Sequence, residues 1–278
     1  MYRKIAVLVC LLVLSAIGSI PARAGTWTQV PGTLTQISVG GGKIIWGLNS
    51  AGSIYEYNNN GGWTQIPGVL AQISAAFDGT VYGVNSANQL FWFDEGSWKY
   101  TGTDVESIDV AAETIVWGVA VSGGVGRYDP GKNGGDWYTT PLTHIAVAGD
   151  GNVWGLTSGG QIYYFNQQYQ EFQQIPGALS KIAVGFGNAV FGINAAGSVY
   201  QFDNATQQFV QIPGVLTEIE VGSNEAVYGL NSAGSIYQYD VTTQVWTQLP
   251  GQLAHLAVAE DGTLWGLNSS GQVFYYTP

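Results

Sequence analysis

Apolar and polar residues alternate with a period of two along most of this chain, in short runs separated by turn-forming clusters. Ala71–Ala75 alternates and predicts a strand, and Asp78-Gly79 predicts the hairpin turn after it. Thr80–Val84 predicts a second strand, ended by Asn85-Ser86-Ala87-Asn88. Gln89–Phe93 predicts a third, Asp94–Ser97 a further turn, and Trp98-Lys99-Tyr100 opens a fourth. Four strands of about five residues and four turns of about four make a unit of about 36 residues. No window carries an apolar stripe at helical spacing, so essentially no helix is expected.

This unit recurs. Its fullest form is Trp-Thr-Gln-(Val/Ile)-Pro-Gly-x-Leu-x-x-Ile, then aromatic-Gly-(Leu/Val)-Asn, then Ala-Gly-Ser-Ile-Tyr. Copies open at Trp27, Trp63, Trp98, Trp137, Phe172, Phe209 and Trp246, at intervals of 36, 35, 39, 35, 37 and 37 residues. A period of this size marks a supersecondary unit that buries its apolar face only against its neighbours. Antiparallel four-stranded units repeated head to tail predict an all-β fold, a seven-bladed β-propeller. The ends agree. The chain closes with three strands, Leu253–Val258, Thr263–Leu267 and Gln272–Tyr276, while Thr26–Val30 opens it unpartnered. Pairing Thr26–Val30 into the last blade would close the ring and leave no inner edge unpaired. A solenoid, the alternative, would want polar capping repeats, and none are visible.

Composition changes the picture mainly at the N-terminus. Arg3 and Lys4 precede an apolar run from Ile5 to about Ile17, and Ala22-Arg23-Ala24 follows with small residues around a cleavage site. Residues 1–24 are therefore expected to be a Sec signal peptide, cleaved near Ala24 and too short in its apolar core to span a membrane. The domain would be residues 25–278, secreted or periplasmic and not inserted in a membrane. Cys10, the single cysteine, would leave with the peptide, so core packing rather than disulfides must hold the domain together. The remainder keeps five basic residues against 19 acidic ones, a formal net charge of −14. Such a surface repels phosphate backbones, which excludes nucleic acid as a partner. Scarce charge with abundant Gly, Asn, Gln, Ser, Thr and aromatics suits short strands, and it also suits surfaces that bind neutral polar ligands.

The pattern Trp-x-x-(Val/Ile)-x-Gly-x-Leu-x-x-Ile-x-Val-Gly, (Trp/Tyr)-Gly-(Val/Leu)-Asn, Ile-Tyr stands here as Trp27…Ile37-Ser38-Val39-Gly40…Trp46-Gly47-Leu48-Asn49…Ile54-Tyr55. In this the chain resembles the tectonin-repeat family of β-propeller lectins over residues 25–278. The resemblance implies binding of glycans on cell surfaces at several sites per molecule. Typical members have about six blades, so a count of seven departs from the family.

The aromatic before Gly recurs as Trp46, Tyr82, Trp117, Trp154, Phe191, Tyr228 and Trp265. Two readings stand. These rings could be stacking platforms for sugar faces, or wedges between blades with the following Gly admitting a close neighbour. Recurrence in every copy favours packing. Asn49, Asn85, Asn194, Asn231 and Asn268 close the same strand, with Ala120 and Thr157 in the third and fourth copies. Asn is expected to build the turn through its side chain, or to bind sugar. If it binds, the third and fourth copies are poorer sites. The leading aromatics are read as structural, ahead of a Pro-Gly that becomes Thr101-Gly102 in the third copy, and Pro141 falls one position late in the fourth.

Gln36, Gln72, Ser107, His144, Lys181, Glu218 and His255 occupy one variable position and predict a ring at one channel mouth. A metal or general base there would need more acidic partners than the sequence offers, so solvated rim residues are expected. Asp78-Gly79, Asp150-Gly151 and Asp261-Gly262 read as hairpin turns rather than a calcium site. Ser122–Arg127 and Asp129–Asp136 read as an irregular turn region, by repeat decay or as a specialised contact loop.

The sequence thus points to a multivalent lectin acting as a monomeric ring, without catalytic residues, metal or cofactor. A protein-interaction scaffold is the alternative, and a propeller lyase or lactonase a further one. No Gly-x-Ser-x-Gly elbow occurs, and the domain has no thiol.

Overall fold

A computed structural model describes residues 25–129, 134–223 and 226–278. The expected signal peptide, with Cys10, lies outside the described residues, as do Pro130–Asn133 of the irregular turn region. Among the described residues all regular structure is strand, and no helix is long and apolar enough to cross a membrane.

The first strands are β1 (Thr26–Thr33), β2 (Gln36–Gly41), β3 (Ile44–Leu48), β4 (Ser53–Tyr57) and β5 (Trp63–Val69). Strands β2 to β5 form one antiparallel sheet in chain order, with Ile37 opposite Gly47 and Tyr57 opposite Trp63. The same sheet recurs from Leu142 to Ala178, from Lys181 to Val215 and from Glu218 to Gln252. The leading strand of each copy is the outer strand of the sheet before it, so the sequence repeat runs one strand out of phase with the sheets. The final sheet is closed in that way: β1 pairs with Gln272–Thr277, Trp27 opposite Tyr276, beside Leu264–Leu267 and His255–Val258. The N-terminal strand closes the ring of a β-propeller.

The expectation of seven separate four-stranded blades is corrected. Five sheets are separate and four-stranded, and the sixth holds seven strands. Within it, the 16-residue strand Ser97–Ala112 pairs through its first half with Gln89–Asp94 and through its second half with Ile115–Ala120. Elsewhere a corner separates outer from inner strand, at Pro-Gly-x-Leu in five copies and at Thr139-Thr140-Pro141-Leu142 in the fourth. Here the register puts Gly102 at the position of Pro67, restoring an N–H, and β-branched Val105 replaces Leu, so pairing continues through the corner. Val125–Asp129 and Gly134–Tyr138 are paired strands, not the turn expected there.

Packing between sheets explains the repeated words. Ile54, Leu90, Val125, Ile162, Val199, Ile236 and Val273 recur at one strand position and are buried. A Cβ on Gly47 would lie 2.4 Å from Leu34 Cδ1, and Gly83, Gly155, Gly192, Gly229 and Gly266 meet the corresponding leucine as closely. Glycine after the aromatic therefore makes room for the leucine of Pro-Gly-x-Leu. The leading tryptophans close the outer seam. Trp63 lies on Gly32, Trp98 on Gly68, Trp246 on Gly214 and Trp27 on Gly251, and Trp246 Nε1 donates to Pro213 O at 2.7 Å. Trp137 breaks the series: it pairs opposite Gly126, the position of Gln65 rather than of Trp63, and is 41% exposed.

Candidate functional site

The aromatic-Gly rings are buried without exception. Tyr82 and Phe191 have no exposed surface, and Trp46, Trp117, Trp154, Tyr228 and Trp265 are at most 5% exposed. Six of them meet an aromatic of the following copy edge-on: Trp46 with Phe93 at 4.9 Å, Trp117 with Phe165 at 4.8 Å and Trp154 with Phe202 at 4.7 Å. Trp265 meets Tyr57 at 5.0 Å, Phe191 meets Tyr239 at 5.9 Å and Tyr82 meets Tyr128 at 6.0 Å. No ring face is open to a sugar, so the stacking-platform reading of these seven residues is corrected: they are wedges between sheets.

The asparagines build turns. Asn231 Oδ1 accepts from Ala233 N at 3.0 Å and Ser235 N at 2.9 Å, while its Nδ2 donates to Tyr237 Oη at 3.4 Å. Asn49 and Asn194 repeat the pattern with Tyr55 and Tyr200, and Asn85 and Asn268 with Gln89 and Gln272. Thr157 Oγ1 holds the equivalent turn through Gln161 N alone, and at Ala120 only the backbone bonds remain. The fourth turn residue takes a left-handed φ, which glycine supplies in most copies and Asn88 supplies at 63°.

These turns are half-exposed, and between two of them lies a cleft of about 440 Å³. Its walls are the Asn231–Gly234 turn, the Gln252–Ala254 connector, and Asn268 with Ser269, and Thr217 stands at its floor. Every group there is uncharged, and amides and hydroxyls outnumber apolar side chains. The sequence reading found Asn231 and Asn268 but missed Ser232, Gln252 and Ser269. Their signal was available: they are the exposed polar letters flanking the repeated Asn and Leu.

The variable ring does lie at one channel mouth, and much of it stitches neighbouring inner strands together. Gln72 Nε2 donates to Ile108 O at 2.9 Å while its Oε1 accepts from Ile108 N at 3.1 Å. Gln36 treats Ile73 similarly, and Glu218 accepts from Leu256 N with its other oxygen 3.3 Å from His255 Nδ1. Two residues deeper, Ser38 accepts from Ala75 N and Asp109 from Val147 N. Among the described residues inner strands are bridged by backbone only at their ends, Phe186 with Ser223, so these side chains satisfy N–H groups that would otherwise face the channel.

Burial first, against hydrogen bonds from Val147, Val110 and Ser74, pushes Asp109 up to about 6. Burial, then the Glu218 and Asp109 carboxylates, pushes Glu220 up to about 8, with Lys181 opposing. Burial lowers His144, against a backbone hydrogen bond with Ile182. Among the described residues no group of three or more His, Cys, Asp or Glu could hold a metal. On the opposite face the Asp-Gly turns do more than turn. Asp78 accepts from Glu113 N at 2.8 Å, Asp150 from Gly187 N at 2.9 Å and Asp261 from Gly42 N at 3.0 Å, each latching the next copy.

Solved structures with this architecture include Ycf48 bound to a D1 peptide (14% identity, 93% of this chain and 97% of that one, TM-score 0.68). Virginiamycin B lyase from Staphylococcus aureus is similar at 16% identity, 91% and 99% coverage and TM-score 0.70. The RRP9 WD40 repeats match at 10% identity, 91% and 98% coverage and TM-score 0.70. At these identities the likeness shows the propeller fold alone. A search against curated proteins gave no match. The Tectonin domain family matches residues 19–95 and 78–245, most of the chain and the repeats carrying the buried wedges and Asn turns. This chain belongs to the tectonin domain family.

Proposed function

We propose that this protein is a secreted, multivalent carbohydrate-binding protein acting as a monomeric ring, without catalytic activity or cofactor. The observation that carries the reading is the uncharged cleft between adjacent Asn turns, lined by Ser232, Gln252, Asn268 and Ser269. Ser232, Ser269 and Gln252 offer hydroxyl and amide groups in the pattern neutral sugars require. Asn turns stand on both sides of the junctions Asn49/Asn85, Asn194/Asn231, Asn231/Asn268 and Asn268/Asn49. The junctions involving Ala120 and Thr157 lack one or both. Repeated clefts on a rigid ring would turn weak single-site binding into avidity.

The test is a glycan array at neutral pH, followed by titration of the best sugar into wild type and Ser232→Arg. The arginine side chain would fill one cleft from an exposed position, so the number of sites should fall by at least one with folding intact. Binding to no glycan, with a single protein recovered from an extracellular pull-down, would replace the lectin by an interaction scaffold.

A further inference from the structure

We propose that the central channel is a binding site for a small organic cation, whose primary ammonium is received between Asp109 and Glu220. The channel has a volume of about 900 Å³ and opens at the variable ring. At its other end Glu260 reaches across to accept from Gly149 N at 2.6 Å, between copies far apart in the ring. Glu260 therefore crosses and narrows that end of the channel.

Asp109 and Glu220 stand at the same level on inner strands three copies apart. Their counterparts Ala146, Ala183 and Ala257 are small, which keeps the space between them open. Ser38, Ser74 and both oxygens of Asp109 accept from neighbouring backbone N–H groups, and each Asp109 oxygen keeps a second lone pair for an ammonium N–H. Among the described residues the Glu220 carboxyl makes no hydrogen bond, although Glu218 on the same strand takes Leu256 N. Two half-buried carboxyls thus share one channel level, and Lys181 at the mouth is the cation that acts on Glu220. Burial and its acidic neighbours hold Glu220 well up, the state of a carboxyl without a counter-charge. An ammonium supplies that charge and three N–H donors. The lack of a three-ligand cluster among the described residues argues for an organic cation over a divalent metal. The inference does not rest on glycan binding.

Isothermal titration of the full chain with butane-1,4-diammonium chloride at pH 7, in two buffers of different ionisation heat, tests it. Saturable 1:1 binding is expected, with proton release as Glu220 ionises, in a field also set by Asp109, Glu218, Lys181, His144 and His255. Glu220→Gln should weaken binding about tenfold or more and abolish the proton release. Ala257→Phe should block the pocket, and Ser232→Arg should change nothing. Absence of saturation, equal affinity in Glu220→Gln, or a calcium titration giving the same Glu220-dependent signal would overturn the proposal.

Discussion

Trp154→Ala separates a packing wedge from a ligand platform. Trp154 is 5% exposed, with ring partners Phe202 at 4.7 Å, Tyr164 at 5.6 Å and Phe209 at 5.8 Å. Truncating a buried Trp costs about 3–5 kcal/mol, most of it lost burial and the cavity left behind. The edge-on contacts contribute roughly 0.5–1.5 kcal/mol each of what is lost. In a domain of this size each kcal/mol moves the midpoint about 2–4 °C, so a fall of roughly 6–20 °C is expected in calorimetry. Total stability is about 5–15 kcal/mol, so the variant is expected to fold but to unfold at much lower urea. Trp154→Phe, which keeps a ring beside Phe202, should recover more than half of the loss. A fall below about 2 °C, with loss of one glycan site, would refute the wedge assignment.

Further outcomes follow from the seams and the channel. Asp150→Ala removes the acceptor of Gly187 N across a copy boundary and should cost about 1 kcal/mol, read as a lower urea midpoint without a change in slope. Gly40→Ala would place a Cβ 2.1 Å from Ala76 O at the end of the next inner strand, and should destabilise the ring more than Gly62→Ala, whose Cβ meets only Asn58 at 3.5 Å. Both can be ranked by thermal melts. Glu220 has its folded value raised from 4.5 to about 8, so its stability contribution is complete below the unfolded value and is lost as pH rises through about 8. Wild type should therefore lose stability relative to Glu220→Gln between pH 5 and pH 8, read from urea midpoints; the opposite slope would mean that the carboxylate is paired.

Much of this architecture was legible in the chain. Alternation and Asp-Gly turns placed the strands of the second copy to within a residue or so, and counting strands at the ends foretold that Thr26–Val30 would close the ring. The fused sheet was hidden because the loss of Pro-Gly at Thr101-Gly102 read only as an exception to the repeat, while its effect on the corner depends on backbone continuity. The wedge role of Trp46 and its equivalents was one of two readings, and only burial decides between them. Side-chain stitches such as Gln72 to Ile108 and latches such as Asp150 to Gly187 join copies about 36 residues apart. Local pattern cannot reveal them, because each pairs a side chain with a backbone group that has no sequence signature. The cleft was half visible: its Asn residues recur, but its Ser and Gln members vary and become a site only when two turns stand side by side.

The central claim is multivalent binding of neutral glycans by the clefts between Asn turns. Titration of an array-selected sugar into the wild-type domain, with stoichiometry as the readout, tests it most directly. The account predicts saturable binding with more than one site per chain, reduced in number by Ser232→Arg. A cooperatively folded domain that binds no glycan, or one whose stoichiometry is unmoved by Ser232→Arg and by equivalent substitutions at the other Asn-flanked junctions, would contradict it.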